Sequence, residues 1–182
     1  MQDDGEERFR LLFADTYGDV LRFAQRRGQP GDAEDVAAEV FLVAWRRLDD
    51  LPHSADDTRA WLFGVARHCL LNANRGQGRR DALAVRVSDG FLARTLDNEP
   101  DLDVIGRRID LAAAWRRLSA GEQEVLALTA IDGLTSPQAA QVLKISAAAY
   151  RLRLMRARRE LRRHLGEASP LVLNDSIQEP AP

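Results

Sequence analysis

The sequence predicts an all-α chain of two small helical domains joined by a flexible linker, and three observations predict it. Apolar residues recur at three- and four-residue steps on both sides of a break, the period that places side chains on one stripe of a helix. That period lapses between Gly76 and Pro100. Helix-start signatures of the Ser/Thr-x-x-Glu/Gln type stand at Ser119 and Thr135, where a hydroxyl and a side-chain carbonyl can satisfy two backbone N–H groups reciprocally. A length of 182 residues is enough for two helical domains or one larger one, and 45% apolar content is compatible with packed cores.

In the first domain, Phe9, Leu12, Phe13, Tyr17, Val20, Leu21 and Ala24 form the core stripe of a helix from Glu6 to Arg27. Gln29-Pro30-Gly31 breaks it. Asp32 is the expected N-cap of a second helix to about Leu48, with Glu34 and Asp35 in its first turn and Arg46 and Arg47 in its last, matching the macrodipole. Asp49 to Asp57, with Pro52, His53 and Ser54, reads as a loop, and a third helix follows from Thr58 to Arg75 through Trp61, Val65 and Cys69. The cluster Leu83 to Val87 could form a strand, but one strand has no partner here, so a tether with a turn of helix is expected.

In the second domain, Val104, Ile105, Ile109, Leu111, Ala112 and Trp115 mark a helix ending near Leu118, and the Ser119 box opens another to about Ile131. Asp132-Gly133 turns the chain. Thr135 caps a short buried helix carrying Ala139, Ala140, Val142 and Leu143; Lys144-Ile145-Ser146 makes a turn; Ser146 caps a last helix through about Leu165. The expected organisation is a first domain over 1–80, a linker over 81–102, a second domain over 103–166 and a flexible tail over 167–182.

The net charge of −2 hides an alternation. Residues 1–58 hold 14 acids against 7 basic side chains (net −7), and 59–80 hold 5 Arg and no acid (net +5). Residues 81–134 hold 10 acids against 6 Arg (net −4), and 135–165 hold 7 Arg and one Lys against one Glu (net +7). Two separate contacts with one polyanion would explain two basic blocks, each neutralised phosphate releasing counterions; two solvated helical faces would explain them as well.

The remaining composition excludes other classes. The single cysteine, Cys69, cannot form an internal disulfide, and His53, His68 and His164 have no metal-ligand spacing, so neither metal nor cofactor is expected. No glycine-rich phosphate loop or nucleophile elbow is present, so no catalytic residue and no enzyme activity are expected. The N-terminus, Met1 to Glu7, is acidic, and no apolar run approaches the roughly 18 residues of a membrane span, so a cytoplasmic protein without membrane contact of its own is expected.

The order short helix, three-residue turn, long helix over 135–165 is that of a helix-turn-helix, whose second helix reads the major groove. At about 100° per residue, Tyr150, Leu154, Ala157 and Leu161 share one arc and face the core. Leu152, Met155, Arg156, Arg159 and Arg163 face the other way, with Arg151 on the flank. Thymine methyls accept apolar contact, while guanine edges and phosphates accept Arg, so that outward face suits a major groove better than bulk water. The other basic block combines Trp61, Phe63, His68, Asn72 and Asn74 with Arg59, Arg67, Arg75, Arg79 and Arg80. Rings, amides and cations together suit single-stranded DNA, although Trp61 and Phe63 suit a core equally well.

Asp32-Ala33-Glu34-Asp35-Val36-Ala37-Ala38-Glu39-Val40-Phe41-Leu42-Val43-Ala44-Trp45, then Arg59-Ala60-Trp61-Leu62-Phe63-Gly64-Val65-Ala66-Arg67, and finally Leu118 to Leu165 with Arg156-Ala157-Arg158-Arg159-Glu160-Leu161, resemble the extracytoplasmic-function (group 4) sigma factors of the sigma-70 family. The resemblance covers roughly 6–80 and 103–165. It implies a bacterial transcription initiation factor that binds core RNA polymerase and directs it to promoter DNA. The first domain, region 2, would grip the β′ clamp helices and recognise and melt the −10 element; the second, region 4, would bind the −35 element and the β flap. It implies also an anti-sigma factor that masks these surfaces.

Carried over by residue, Asp35, Glu39, Leu42 and Arg46 are the polymerase-facing candidates. The loop Pro52–Thr58, with Ser54, would capture a flipped −10 base, and Arg59, Trp61, Arg67, His68, Asn72, Arg75, Arg79 and Arg80 would handle the opened strand. Arg151, Leu152, Met155, Arg156 and Arg159 would meet the −35 element. The chain departs from the family pattern at His68 (usually Asn), Ala38 (often Gln), Lys144 (usually Gly), Ala149-Tyr150 (usually Thr-Val) and Leu152 (often Ser). A polymerase-independent helix-turn-helix regulator would use the second domain but leave the motifs of 32–75 without a role.

Overall fold

The computed structural model describes residues 2–29, 31–73, 83–86 and 102–168, and among them it contains α-helices, one short 3-10 turn and no strand. The helices are α1 (Gln2–Arg27), α2 (Ala33–Arg46), α3 (Ala55–Ala73), α4 (Leu102–Arg117), α5 (Ala120–Ala130), α6 (Ser136–Leu143) and α7 (Ala147–Ala168), with the 3-10 turn Leu48–Asp50 after α2.

Local chemistry sets most of these boundaries as the sequence implies. At α5 the Ser119 Oγ accepts from the Glu122 N–H at 3.3 Å, and the Glu122 Oε2 accepts from the Ser119 N–H at 2.8 Å. At α6 the Gln138 Oε1 accepts from the Thr135 N–H at 3.0 Å. Ser146 caps α7 by accepting from the Ala149 N–H at 3.1 Å. The turn between α6 and α7 holds Lys144 at φ 54°, ψ 44°, the left-handed conformation that glycine adopts without penalty. Gly133, at φ 69°, makes the sharp turn after α5 where a Cβ would be strained.

Four expectations are corrected. Asp32 precedes α2 but sits at φ −83°, ψ −10°, already helical, and its side chain makes no capping bond; Glu34 and Asp35 answer the dipole instead. The third helix begins at Ala55 rather than Thr58, because Ser54 caps it by accepting from the Asp57 N–H at 3.1 Å. Phe13 is 40% exposed rather than core: its ring partners Phe9, Tyr17 and Phe41 belong to α1 and α2 alone. Ile109 is 62% exposed, so the apolar stripe of α4 is covered only nearer its C-terminal end, where Ala114 is fully buried. Val104 and Ile105 of that stripe lie outside the residues whose side chains are described.

The core runs without interruption from the first helices into the last. Phe23 of α1 stacks on Phe63 of α3 with centroids 4.6 Å apart and planes 14° off parallel, a pair contributing about 0.5–1.5 kcal/mol beyond its buried area. The same cluster includes Leu62 and Leu70 of α3, Leu126 and Leu128 of α5, Val142 of α6 and Tyr150 of α7. Full burial of each large aliphatic side chain contributes about 1.5–3 kcal/mol. Helix α3 packs on α6 closely enough that a Cβ on Gly64 would lie 3.9 Å from the Val142 Cα.

Of the expected tether, residues 83–86 are described: they form neither helix nor strand and bond to both helical groups. Leu83 and Val85 are buried. The Val85 N–H donates to the Gln123 Oε1 at 3.0 Å and its carbonyl accepts from the Trp115 Nε1 at 2.8 Å. On the other side the Arg86 N–H donates to the Arg26 carbonyl at 2.8 Å, and its guanidinium to the carbonyls of Gln25 and Gly28. Those carbonyls end α1, so a linker side chain satisfies the acceptors a helix C-terminus leaves open.

Candidate nucleic-acid and polymerase interfaces

Helix α7 is amphipathic because its inner face must fill the second domain's core. Tyr150 is wholly buried, its hydroxyl donating to the Val125 carbonyl at 2.8 Å and lying 2.7 Å from the Thr129 Oγ1. Leu154 and Ala157 are buried beside it and Leu161 is half-buried. The rigid core anchor therefore fixes the rotation of the helix, and Arg151, Leu152, Met155, Arg156 and Arg159 are all exposed. Leu152 is 44% and Met155 60% exposed, apolar surface left uncovered amid guanidinium groups. Arg163, further along the same face, is engaged by Glu160 and Glu167, which raise its pKa.

On α2 the expected docking residues Asp35, Glu39, Leu42 and Arg46 are exposed, whereas Val36, Ala37, Val40, Phe41 and Ala44 face inward. Sequence reasoning missed the apolar ground beside them. Trp45 is 45% exposed, packs edge-on against Phe9 at 5.1 Å, and with Phe9, Phe13, Glu6 and Arg10 lines an open groove of about 590 Å³. The signal was present in the α1 stripe, which carries more rings than α2 and α3 can cover.

Helix α3 divides the remaining candidates. Ser54, His68 and Asn72 are exposed, while Trp61 is half-buried and Phe63 is core. Arg75, Arg79 and Arg80, like Asn74, lie outside the described residues. Arg59 and Arg67 are turned toward other elements. The Arg59 Nε donates to the Asp19 Oδ2 at 2.5 Å, its NH2 to the Asp132 carbonyl at 2.8 Å, and its guanidinium lies 4.9 Å from the Phe63 ring centroid. Burial alone would raise the Asp19 carboxyl, but hydrogen bonds from Arg59 and Arg22 hold it below its ordinary value. The Arg67 Nε and NH2 donate to the Glu124 Oε1 at 2.8 Å and Oε2 at 3.1 Å, a forked pair with Glu124 almost fully buried.

A second charge cluster, which no sequence pattern announces, joins the same two helical groups. The Asp132 carboxylate accepts from Arg26 NH2 at 2.6 Å and Arg27 NH2 at 2.5 Å, and the side chains of Asp132 and Arg27 are completely shielded from solvent. Desolvation lowers the Arg27 pKa, and the charge and hydrogen bond of Asp132 oppose that shift. At the rim, the Gln138 Nε2 donates to the Asp57 Oδ1 at 3.0 Å; that bond and one from Ser54 lower the Asp57 pKa. Cys69 is buried against α2, and desolvation, with the charge of Glu39, pushes its thiol up to about 11.

The comparisons with known proteins agree with this arrangement. Residues 12–80 match the sigma-70 region 2 family and residues 108–161 the sigma-70 region 4 family, which defines the class: a promoter-directing sigma subunit of RNA polymerase. Among its relatives, the sigma factor CnrH of Cupriavidus metallidurans is 34% identical over 137 residues, 71% of each chain. The ECF sigma factor SigL of Mycobacterium tuberculosis is 30% identical over 159 residues, 87% of this chain and 89% of that one. The solved structure of CnrH in complex with the cytosolic domain of CnrY superposes with a TM-score of 0.57 at 31% identity, covering 87% of this chain and 88% of that one. This chain belongs to the extracytoplasmic-function sigma factors of the sigma-70 family. Its partners are accordingly core RNA polymerase and promoter DNA.

Proposed function

We propose that the two helical groups divide promoter recognition between them, region 2 over 1–80 and region 4 over 103–166, with 81–102 as the connection and 167–182 as a tail. The exposed, apolar-and-cationic face of α7 carries this reading. Placed in the major groove of the −35 element, Leu152 and Met155 meet thymine methyls while Arg151, Arg156 and Arg159 meet base edges and phosphates. The region also contacts the β flap. On α2, Asp35, Glu39, Leu42 and Arg46 dock on the β′ clamp helices, with exposed Leu42 and Trp45 supplying apolar area.

The −10 element is melted without covalent chemistry. Unstacking costs a few kcal/mol per base, which a base pocket near Ser54 and stacking along α3 by Trp61, with Arg59, Arg67, His68, Asn72, Arg75, Arg79 and Arg80 on the strand, can offset. His68, Ala38, Lys144 and Leu152 depart from the family pattern, so the promoter sequence is this chain's own. The related CnrH was solved in complex with the cytosolic domain of CnrY, and the uncovered α1–α2 groove is where this chain can receive an anti-sigma protein that masks it. No described helix is long and apolar enough to cross a membrane; the cytoplasmic location follows from the partners, since a sigma subunit works where polymerase and promoter DNA are.

Run-off transcription from a library of genomic fragments by core polymerase tests the proposal. Start sites that depend on the added chain, and whose upstream sequences align into two elements at fixed spacing, are expected. Transcripts that are independent of the chain, or dependent on it without any shared upstream element, would overturn it.

A further inference from the structure

Among its 26 Lys and Arg residues the chain has a single lysine, Lys144. It is also the only charged residue between Asp132 and Arg151, so one cation stands alone in that stretch, in the turn between α6 and α7. The backbone there is strained. Lys144 lies at φ 54°, ψ 44°, the only non-glycine at positive φ among the described residues, in a conformation that Gly, Asn or Asp adopts more readily. No packing or pairing of the side chain offsets the strain: Lys144 is exposed and makes no hydrogen bond or ion pair among the described residues. A cation at a helix end can answer the macrodipole, but the last carbonyls of α6 are met by backbone N–H groups, Lys144 donating to Gln141 at 3.1 Å and Ile145 to Ala140 at 3.0 Å.

The neighbouring residues leave a gap that this amine fills. The first turn of α7 is Ala147-Ala148-Ala149, without a charged or long side chain, and Ser146 commits its Oγ to the Ala149 N–H at 3.1 Å. The first cation of α7 itself is Arg151, on the far side of the buried Tyr150. A reading helix contacts base edges with its N-terminal residues, which brings the turn before it toward the wall of the groove.

We propose that Lys144 is a phosphate contact: its ammonium group binds a backbone phosphate beside the upstream element and fixes the depth and register at which α7 lies in the groove. The inference rests on the α7 face being the reader of that element. Phosphate contacts position a protein without reading sequence, and an ammonium on a flexible four-carbon stem suits a point contact with one oxygen. Arg151, Arg156 and Arg159 present planar forks, which suit guanine edges as well. Glycine would make the same turn without strain and without charge, so the lysine keeps a contact at a cost in stability.

The solitary lysine supplies the test. An amine-selective acylating reagent can modify this chain only at Lys144 and at its terminal amine. The polymerase-bound factor is treated with N-hydroxysulfosuccinimide acetate on a promoter duplex and on a duplex that ends downstream of the −35 element, and acetylation of the peptide carrying Lys144 is followed by mass spectrometry. Labelling several-fold slower on the full duplex is expected. Equal rates on the two duplexes overturn the proposal.

A second measurement reads salt dependence. Lys144→Gln and Lys144→Gly are each expected to weaken promoter binding by one factor on every altered upstream element, and that factor is expected to shrink about 3.5-fold over a rise from roughly 50 to 200 mM salt, as the loss of one phosphate contact requires. Lys144→Arg is expected to keep the parental affinity and slope. Because the glycine variant has the unstrained turn, a folding defect cannot account for its weaker binding. Parental affinity and slope in the Gln and Gly variants, or a loss confined to one base-pair change, overturn the proposal. A parent that binds the full duplex no better than the truncated one refutes α7 as the reader, and this contact with it. A parent that prefers the full duplex, without protection of Lys144 or a change of slope, refutes the contact alone.

Discussion

Arg156→Ala isolates the proposed reading face of α7 from the fold that supports it. Arg156 is exposed and makes no ion pair or hydrogen bond among the described residues, while the neighbouring Glu160 is engaged by Arg163. Alanine keeps the helix, so unfolding free energy is expected to change by no more than about 0.5 kcal/mol. Truncating a side chain that reads a base costs a promoter complex about 1–3 kcal/mol, or roughly 5- to 150-fold in affinity. The assay is equilibrium binding of the polymerase-bound factor to a promoter duplex and to a set carrying single base-pair changes in the upstream element, at several salt concentrations. If Arg156 reads a base, the loss vanishes on one altered duplex, where discrimination is already gone; if it meets a phosphate, the loss is uniform and the salt slope is smaller by about 1. Unaltered affinity on every duplex, or weaker binding explained by a lower melting temperature, would refute the assignment of this face.

Other expectations bear on the scaffold. Tyr150→Phe removes the hydroxyl bonded to Val125 and Thr129 and should cost about 1–2 kcal/mol in urea unfolding, with base preference unchanged in the surviving folded protein. Lys144→Gly relieves a left-handed non-glycine residue in the helix-turn-helix turn and should raise stability by about 0.5–1 kcal/mol, seen as a higher thermal midpoint. Cys69 has a folded-state pKa of about 11 against an ordinary 9.0, so folding favours its protonated thiol. Its contribution is complete below about pH 9 and is lost as pH rises through about 11. Iodoacetamide should therefore label it slowly at pH 8 in the native protein and rapidly in urea; fast native labelling would contradict its burial.

Periodicity and capping are local, and they were legible. The inward arc Tyr150, Leu154, Ala157 and Leu161 follows from helical geometry alone, and the Ser119, Thr135 and Ser146 starts follow from side chains three residues apart. Asp32 and Ser54 show the limit of the same rule. Both are residues that cap helices, and which of them does so depends on a backbone conformation that sequence does not state. Phe13 and Ile109 lay on correct stripes, but what covers a stripe is a matter of neighbouring helices.

The charge cluster joining the two helical groups was the least legible element. In the sequence Arg27 only closes the first helix and Asp132 only turns the chain, because a pair more than a hundred residues apart leaves no local pattern. Arg59 and Arg67 were found as candidate cations through their block of charge, but their engagement by Asp132 and Glu124 became visible only in three dimensions.

The most direct trial of the whole account is gel filtration of the purified chain with core RNA polymerase at moderate salt, alongside the variant Leu42→Glu. Leu42 is exposed, so the substitution spares the core while placing a charge at the centre of the proposed α2 docking face. Co-elution of the parent chain with polymerase, and its loss in a variant of unchanged melting temperature, is predicted. A parent chain that elutes apart from core polymerase, or a variant that binds as tightly as the parent, would contradict it.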